Sequence, residues 1–349
     1  MRTGEPPVQA NLTPDPWTVK ARRCSLAGMS ARSADAARMF RVATTWVARP
    51  APELRHVGLD RFPNMPQPIQ TLEYEASPGR WRFSSATPDP ALAGIVQEYW
   101  EVEGRLTPFR ERVLPNGYTE LMVNLGPPHQ LVTQAGTRVW ERAWFSGLHE
   151  RAIVIESHAG THLVSARLHP LGALRLLGPA VAGLVNSVVD LAALLGPAAD
   201  QLRSLLLAAV SPGQRFARLE RFLEQLVSPS LVPSAIVCQG ARMIEDAHGN
   251  LRIAEILDEL GVSRKQLWFR FTRELGLSPK AYARLQRFVW TLARLRESTT
   301  VEWSRLAAAA GYADQAHLVR DFRRAAFASP TEFLRARTPD STALLDEVG

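Results

Sequence analysis

A stretch near the C-terminus combines basic and hydrogen-bonding side chains with helical spacing. It reads GYADQAHLVRDFRR and covers residues 311–324. Leu318 and Phe322 stand four residues apart, so a helix would turn both toward a core. The outward positions would then be His317, Val319, Arg320, Arg323 and Arg324. An exposed row of this kind is suited to contact the base edges and phosphates of nucleic acid.

The same pattern occurs once before, at an offset of 51 residues. Two copies of one small helical unit explain the repeat. A segment between the copies, residues 280–298, has an apolar face and predicts a single joining helix. The matched pairs are Leu267 and Leu318, Phe271 and Phe322, Arg273 and Arg324, Ser278 and Ser329, Pro279 and Pro330, Tyr282 and Phe333, and Arg284 and Arg335.

Each copy reads as a short helix, a glycine turn and a second helix. Gly261 and Gly311 mark the turns, because a sharp turn favours a residue that tolerates positive φ. Ser263 and Asp314 are the candidate N-caps, and the second turn is one residue longer. This arrangement is the helix-turn-helix unit, whose second helix can lie in a major groove about 12 Å wide.

The candidate DNA-binding residues lie on or beside the second helix of each unit. Arginine and lysine suit guanine, glutamine suits adenine, and alanine or valine can meet a thymine methyl. Arg273, Arg323 and Arg324 are the better phosphate candidates. The full set is Ser263, Arg264, Lys265, Gln266, Trp268, Phe269, Arg270 and Arg273 in the first unit, and Asp314, Gln315, Ala316, His317, Val319, Arg320, Arg323 and Arg324 in the second.

Charge and composition agree with this interpretation. The chain has 349 residues and a net charge of +7. Residues 235–337 contain 17 Lys/Arg against 11 Asp/Glu, so they carry most of that excess. Two cysteines give no disulfide framework or cysteine-based zinc site and indicate a reducing cytosol. No apolar run reaches the ~18 residues of a membrane span, and no cofactor is expected.

The fold class predicted is multidomain α+β. A β-rich, sandwich- or barrel-like N-terminal domain with helices precedes an all-α domain of two helix-turn-helix units joined by a long helix. Strand-like segments fill residues 75–170, with PNG at 115–117 as a tight turn, and amphipathic helices follow over 171–226. The expected divisions are an N-terminal extension over 1–70, which is disordered or lies upstream of the true start, a sensor domain over 71–227, a linker over 228–234, a DNA-binding domain over 235–337 and a flexible tail over 338–349.

Residues 235–337 resemble the DNA-binding domain of the AraC/XylS family of bacterial transcriptional regulators. The motifs are GVSRKQLWFRFTRELGLSPKAY (261–282) and AAAAGYADQAHLVRDFRR followed by SPTEF (307–333). Three residues depart from the family pattern. Leu257 replaces a small alanine, Phe269 an arginine or other polar residue, and Phe327 a glycine.

The preceding region resembles, more weakly, a β-rich sensor region found in a subset of that family. The likeness is carried by EYW (98–100), LPNGYTELMVNLG (114–126), SGL (146–148) and RLHPLGALRLLG (167–178). The two resemblances imply a cytoplasmic, non-enzymatic regulator that binds promoter or operator DNA. A small-molecule effector, RNA polymerase and a second copy of the chain are its further expected partners, and no membrane is. Effector-binding residues stay unassigned.

Two alternatives remain open. One is a metal-dependent enzyme on the β-rich domain, tethered to DNA. It would use histidines on strands, but no pair stands at i, i+2, and no metal ligand is assigned. The other is a helical module for protein contacts, which predicts no salt-dependent DNA binding. The histidines considered are His149, His158, His162 and His169.

Overall fold

The structure is a computed structural model of the chain, and it describes most residues after position 68. The expected N-terminal extension therefore lies outside the described residues apart from its last two positions, and His158 also lies outside them. The described ranges are 69–76, 79–106, 109–133, 136–157, 160–297, 301–337 and 343–346.

Two antiparallel sheets form the N-terminal domain. One has seven strands in the order β1-β2-β3-β10-β5-β8-β11, and the other has five in the order β12-β4-β9-β6-β7. The predicted antiparallel, sandwich-like β domain is confirmed. The strands are β1 Gln70–Ala76, β2 Gly79–Ala86, β3 Val96–Leu106, β4 Phe109–Val113, β5 Thr119–Asn124, β6 His129–Thr133, β7 Gly136–Trp140, β8 Ala143–Ser146, β9 Ile153–Ser157, β10 Thr161–Leu168, β11 Val188–Asp190 and β12 Ala343–Asp346.

The central part of the seven-stranded sheet is buried on both faces. Successive side chains of a strand point to opposite faces, and both Tyr99 and Trp100 of β3 are buried. Tyr99 packs in a core with Phe216 and other helix residues, whereas Trp100 packs with Leu131 and Trp140 of the five-stranded sheet. Helices thus cover one face of this sheet, and the second sheet covers the other.

The turn at 115–117 differs from a hairpin turn. It does lie between two strands, β4 and β5, but β4 pairs with β9 and β12, while β5 pairs with β8 and β10. The turn therefore passes the chain from one sheet to the other. Asn116 stabilises it, because its Oδ1 accepts a hydrogen bond from the Tyr118 N–H at 3.0 Å.

Four α-helices complete the N-terminal domain in the region predicted to be helical. The short strand β11 lies among them and was not predicted; its three residues give too short a pattern to recognise. The helices are α1 Pro170–Leu177, a 3₁₀ helix Pro179–Leu184, α2 Leu191–Leu195, α3 Ala198–Leu207 and α4 Pro212–Leu226.

The C-terminal domain is all α-helical, as predicted. After its last helix, Ala343–Asp346 forms β12 and pairs with β4 of the N-terminal domain, where a flexible tail was expected. The helices are α5 Ala235–Asp246, α6 Ile253–Leu260, α7 Arg264–Leu275, α8 Pro279–Glu297, α9 Trp303–Ala309, α10 Gln315–Ala326 and α11 Pro330–Ala336.

The predicted linker 228–234 connects α4 to α5 and is held at both ends. The Ser228 N–H donates to the Arg175 carbonyl of α1 at 3.2 Å. The Ser234 N–H donates to the Glu274 carboxylate of α7 at 2.7 Å. Within the described part of the chain, no helix is both long and apolar enough to cross a membrane.

Candidate nucleic-acid interface

The first helix-turn-helix unit consists of α6, a turn at Gly261 and α7. Ile256 of α6 packs against Leu267 and Phe271 of α7, and all three are fully buried. Gly261 ends α6 with φ 60°, a left-handed conformation that glycine adopts without steric cost. The Ser263 Oγ accepts a hydrogen bond from the Gln266 N–H at 3.2 Å, so the predicted cap of α7 is present.

The second unit repeats these contacts with α9, a turn at Gly311 and α10. Ala307 of α9 packs against Leu318 of α10. Phe322 of α10 is buried in the neighbouring cluster with α8 and α11. The Asp314 Oδ1 accepts a hydrogen bond from the His317 N–H at 2.6 Å and caps α10.

A single helix, α8, joins the units as predicted, and the loop that precedes the first unit touches the turn of the second. A Cβ on Gly311 would lie 2.0 Å from the Asn250 Oδ1, so the glycine permits this close approach. Asn250 belongs to the loop between α5 and α6. His248 of the same loop stacks on Trp290 of α8 with ring centroids 5.7 Å apart. The loop before the first unit therefore packs against the turn of the second unit and against the joining helix.

The outward face of α7 is exposed in the presence of the N-terminal domain. Its basic side chains accompany two aromatic ones, Trp268 and Phe269. The candidate residues of this unit that lie at exposed positions are Ser263, Arg264, Lys265, Gln266, Trp268, Phe269, Arg270 and Arg273.

The outward face of α10 is exposed for the most part. Val319 and His317 are half-buried, and the remaining candidates lie at exposed positions: Asp314, Gln315, Ala316, Arg320, Arg323 and Arg324. The structure thus places all sixteen predicted residues on two corresponding helix faces or their caps. Their contacts with DNA stay a prediction.

Gln266 has a local role that its sequence position does not reveal. Its Oε1 accepts hydrogen bonds from the Ser263 N–H at 2.9 Å and from the Ser263 hydroxyl at 3.0 Å. Together with the Ser263 cap this forms a capping box. A bidentate contact with adenine would require Gln266 to leave this arrangement.

His317, like Gln266, makes contacts within its own helix-turn-helix unit. Its Nδ1 accepts a hydrogen bond from the Ala313 N–H at 3.4 Å, and its ring lies edge-on to Tyr312 with centroids 5.2 Å apart. The Nε2 stands 3.9 Å from the Asp321 carboxylate. His317 therefore supports the start of α10 in addition to any contact with a base.

Arg324 forms an ion pair with Asp321 at 3.0 Å within α10. Both residues border a cleft between the second unit and the N-terminal domain. The cleft is lined by Glu150, Arg151, Arg284, Leu285, Phe288, Asp321, Arg324 and Ala325. Arg324 is thus a predicted phosphate contact that also borders the N-terminal domain.

The departures from the family pattern have local consequences. Leu257 is half-buried and packs against the first unit's core, whereas the corresponding Ala307 is fully buried. Phe327 ends α10 with φ 53°, the left-handed conformation that Gly276 adopts at the end of α7 with φ 76°. The Phe327 carbonyl also accepts a hydrogen bond from Arg112 of β4 at 2.8 Å.

The loop between β8 and β9 contacts both helix-turn-helix units. Leu148 is buried in the first unit's core, and Ala152 is buried in the second unit's core. The Ala152 N–H donates to the Ala325 carbonyl of α10 at 2.6 Å. Glu150 pairs with Arg284 of α8 at 3.1 Å. Sequence reasoning missed this loop, because its SGLHERA segment has no periodicity that indicates a docking role.

Within the part of the chain that the structure describes, the histidines considered for a metal site do not form a common group. The group of possible metal ligands in the described residues is Glu101, Glu103 and His162. Glu101 already pairs with Arg215 at 3.0 Å and Glu103 with Arg82 at 2.7 Å. A cation there would have to compete with both guanidinium groups.

The other two histidines considered for a metal site that the structure describes, His149 and His169, have separate environments. The His149 Nε2 lies 2.9 Å from the Ser146 Oγ, and burial lowers the pKa of His149 to about 4. His169 packs edge-on to Tyr118, and burial lowers its pKa as well. Both imidazoles are therefore neutral near pH 7.

Comparison with known proteins finds one family match in the N-terminal region and one in the C-terminal region. Residues 84–190 match a family described as a domain of unknown function (DUF6597), and residues 256–336 match a family described as a helix-turn-helix domain. A search of curated protein sequences finds no match.

Solved structures of three regulators are similar at low identity. ToxT from Vibrio cholerae is 11% identical, with 68% of this chain and 98% of that chain covered and a TM-score of 0.41. The C-terminal domain of AraT, a response regulator from Geobacillus stearothermophilus, is 22% identical over 34% of this chain and 93% of its own, with a TM-score of 0.29. The xylose-binding transcription activator XylR is 22% identical over 35% of this chain and 38% of its own, with a TM-score of 0.27.

The two capped helix pairs and the family match define residues 256–336 as a helix-turn-helix domain. This C-terminal domain is of the AraC type. The resemblance inferred from the C-terminal motifs is confirmed.

Proposed function

We propose that the protein regulates transcription by reading two successive major-groove segments with α7 and α10. The observation that supports this most strongly is the pairing of two exposed, corresponding helix faces with buried anchors on the opposite sides. In this proposal the protein acts in the cytoplasm on promoter or operator DNA and performs no catalysis.

The outward residues divide into two roles in this account. Residues at the centre of each face contact base edges and specify the sequence, and the arginines toward the ends contact phosphates and position the helix. Arg320 lies opposite the buried Leu318 and Phe322 and is the principal base-reading residue of α10. Arg324, one turn further along α10, is a phosphate contact.

The N-terminal domain would control this reading through its contacts with both units. The β8–β9 loop reaches both cores, and the 115–117 turn lies against α8, since a Cβ on Gly117 would be 3.4 Å from the Gln286 Nε2. A small effector or a second copy of the chain that moves these elements would change how the units are held. RNA polymerase is a further expected partner of such a regulator.

The two roles can be separated by binding measurements on a selected duplex and on a random one. Arg320→Ala should weaken binding to the selected duplex by about 10–100-fold and change random binding little, because a specific base contact is worth ~1–3 kcal/mol. Arg324→Ala should weaken binding to both duplexes about equally. It should also lower the slope of log affinity against log salt concentration by about 1. Arg105→Ala, at an exposed position of β3, is the matched control and should change neither.

Equal behaviour of the Arg320→Ala and Arg324→Ala variants on both duplexes would contradict the assignment of roles. Wild-type binding that does not depend on salt would contradict DNA binding altogether, and would favour a helical module for protein contacts.

A further inference from the structure

Two adjacent aromatic side chains project from the first recognition helix into solvent. Trp268 is 54% exposed and Phe269 is 52% exposed. Large aromatic side chains are stabilised by burial, so an adjacent pair left in solvent favours a binding role.

Phe269 stands at the centre of the outward face of α7. Each residue of an α-helix advances about 100° around the axis. Phe269 lies two residues from each buried anchor, Leu267 and Phe271, and therefore points away from both. The offset of 51 residues places Arg320 at the same position of α10 and Val319 at the position of Trp268. The two units thus present different side chains at the centre of their outward faces, a phenyl ring in the first and a guanidinium group in the second.

The surroundings of the aromatic pair are cationic. Lys265 lies one turn before Phe269, and the Arg273 guanidinium lies 6.0 Å from the centre of the Phe269 ring. The acidic residue of α7, Glu274, is buried and hydrogen-bonded to Ser234. A surface with an apolar centre and a basic rim complements a polyanion whose groove exposes apolar groups. It does not complement a neutral or cationic protein surface.

We propose that the first unit reads thymine 5-methyl groups through Phe269 and Trp268, while the second unit reads guanine through Arg320. The proposal rests on the proposed function and specifies the operator chemistry of each unit. A phenyl ring has no hydrogen-bond donor or acceptor for a base edge, and the thymine methyl is the apolar group that bases present in the major groove. Lys265 and Arg273 would hold the flanking phosphates.

The test removes one methyl group at a time from the selected duplex. Each thymine in the block bound by the first unit is replaced by deoxyuridine, which keeps its pairing and its O4 acceptor. Binding of the full-length protein should weaken about 4-fold at each of one or two positions, since a buried methyl group is worth ~0.8 kcal/mol. The Phe269→Ala and Trp268→Ala variants should bind the wild-type duplex more weakly and lose that response to deoxyuridine.

A double-mutant cycle identifies the unit responsible. The Arg320→Ala variant is the matched control and should retain the full deoxyuridine effect in the first block. Three results would overturn the inference alone: a first block without thymine, no deoxyuridine effect, or the same effect in Phe269→Ala as in wild type. A change in oligomeric state with unchanged DNA affinity in Phe269→Ala would identify a protein contact and overturn it too. If no duplex binds specifically, the proposed function fails first, and the inference fails with it.

Discussion

Phe327 occupies a backbone conformation that an L-residue adopts only at a cost. Its φ of 53° closes α10 in the way that Gly276, with φ 76°, closes α7. The left-handed conformation costs a non-glycine residue about 1–2 kcal/mol. The Phe327 side chain is 39% exposed and is not part of the buried cores. The sequence departure at this position therefore carries a backbone cost that the glycine of the first unit avoids.

Replacing this residue should stabilise the protein. Phe327→Gly removes the steric cost but increases the entropy of the unfolded chain, so we expect a net gain of about 0.5–1 kcal/mol. The measurement is the free energy of unfolding in urea.

The control is a substitution in the opposite direction, from glycine to an L-residue, at the equivalent position of the first unit. Gly276→Ala should destabilise, because φ is 76° and the added Cβ would lie 2.1 Å from the Ala182 carbonyl oxygen. A decrease in stability for Phe327→Gly would mean that the phenyl ring, or its neighbour Arg112, contributes more than the backbone costs.

At the scale of the element, the N-caps determine where the recognition helices begin. The Asp314 carboxylate accepts the His317 N–H at 2.6 Å, and His317 in turn contacts Tyr312. Removing the cap should therefore loosen the first turn of α10, which carries Gln315 and Ala316.

Asp314→Ala should lower the free energy of unfolding by about 1 kcal/mol, because it removes the side-chain acceptor of the cap. Specific DNA binding should weaken in parallel. Asp314→Asn retains an acceptor oxygen and should remain near wild type in stability. The two variants are compared by urea unfolding and by binding to the selected duplex. Equal losses in both would show that the negative charge, rather than the cap, is what matters.

These elements were predictable from sequence where the pattern is local. Leu318 and Phe322 recur at one helical turn, and Gly261 and Ser263 adjoin the helix ends they define. The 115–117 turn shows the limit of such reasoning. Its residues indicate a tight turn, but β4 pairs with β9 about forty residues later, and nothing local encodes that partner.

The candidate DNA-binding site was also predictable from sequence only where its pattern is local. Helical periodicity was enough to place the outward residues of α7 and α10. It could not show that Gln266 closes a capping box, because a glutamine three residues after a serine also suits base contact. Nor could it show that Arg324 borders the other domain, since that depends on docking between residues far apart in sequence.

At the scale of the whole molecule, the two domains share buried surface. Leu148 of the N-terminal domain lies in the core of the first unit, and Leu114 lies in the core of the second. Residues Ala343–Asp346 return from the C-terminal domain to pair with β4. We therefore expect the N- and C-terminal domains to unfold together.

Leu148→Ala tests this coupling. It should lower the free energy of unfolding by about 2–5 kcal/mol, the usual cost of removing a buried leucine side chain. Scanning calorimetry should show one transition that shifts as a whole. Leu72→Ala, at an exposed position of β1, is the control and should change little. Two transitions, of which only one moves, would show that the domains fold independently.

Selection from a randomised duplex pool shows whether α7 and α10 read DNA in tandem. The full-length protein is incubated with the pool at moderate salt, and the bound fraction is sequenced. The account predicts two short enriched blocks about one helical turn apart, with thymine in one and guanine in the other. A single block would contradict tandem reading. No enrichment, with binding that disappears as salt rises, would contradict sequence-specific recognition.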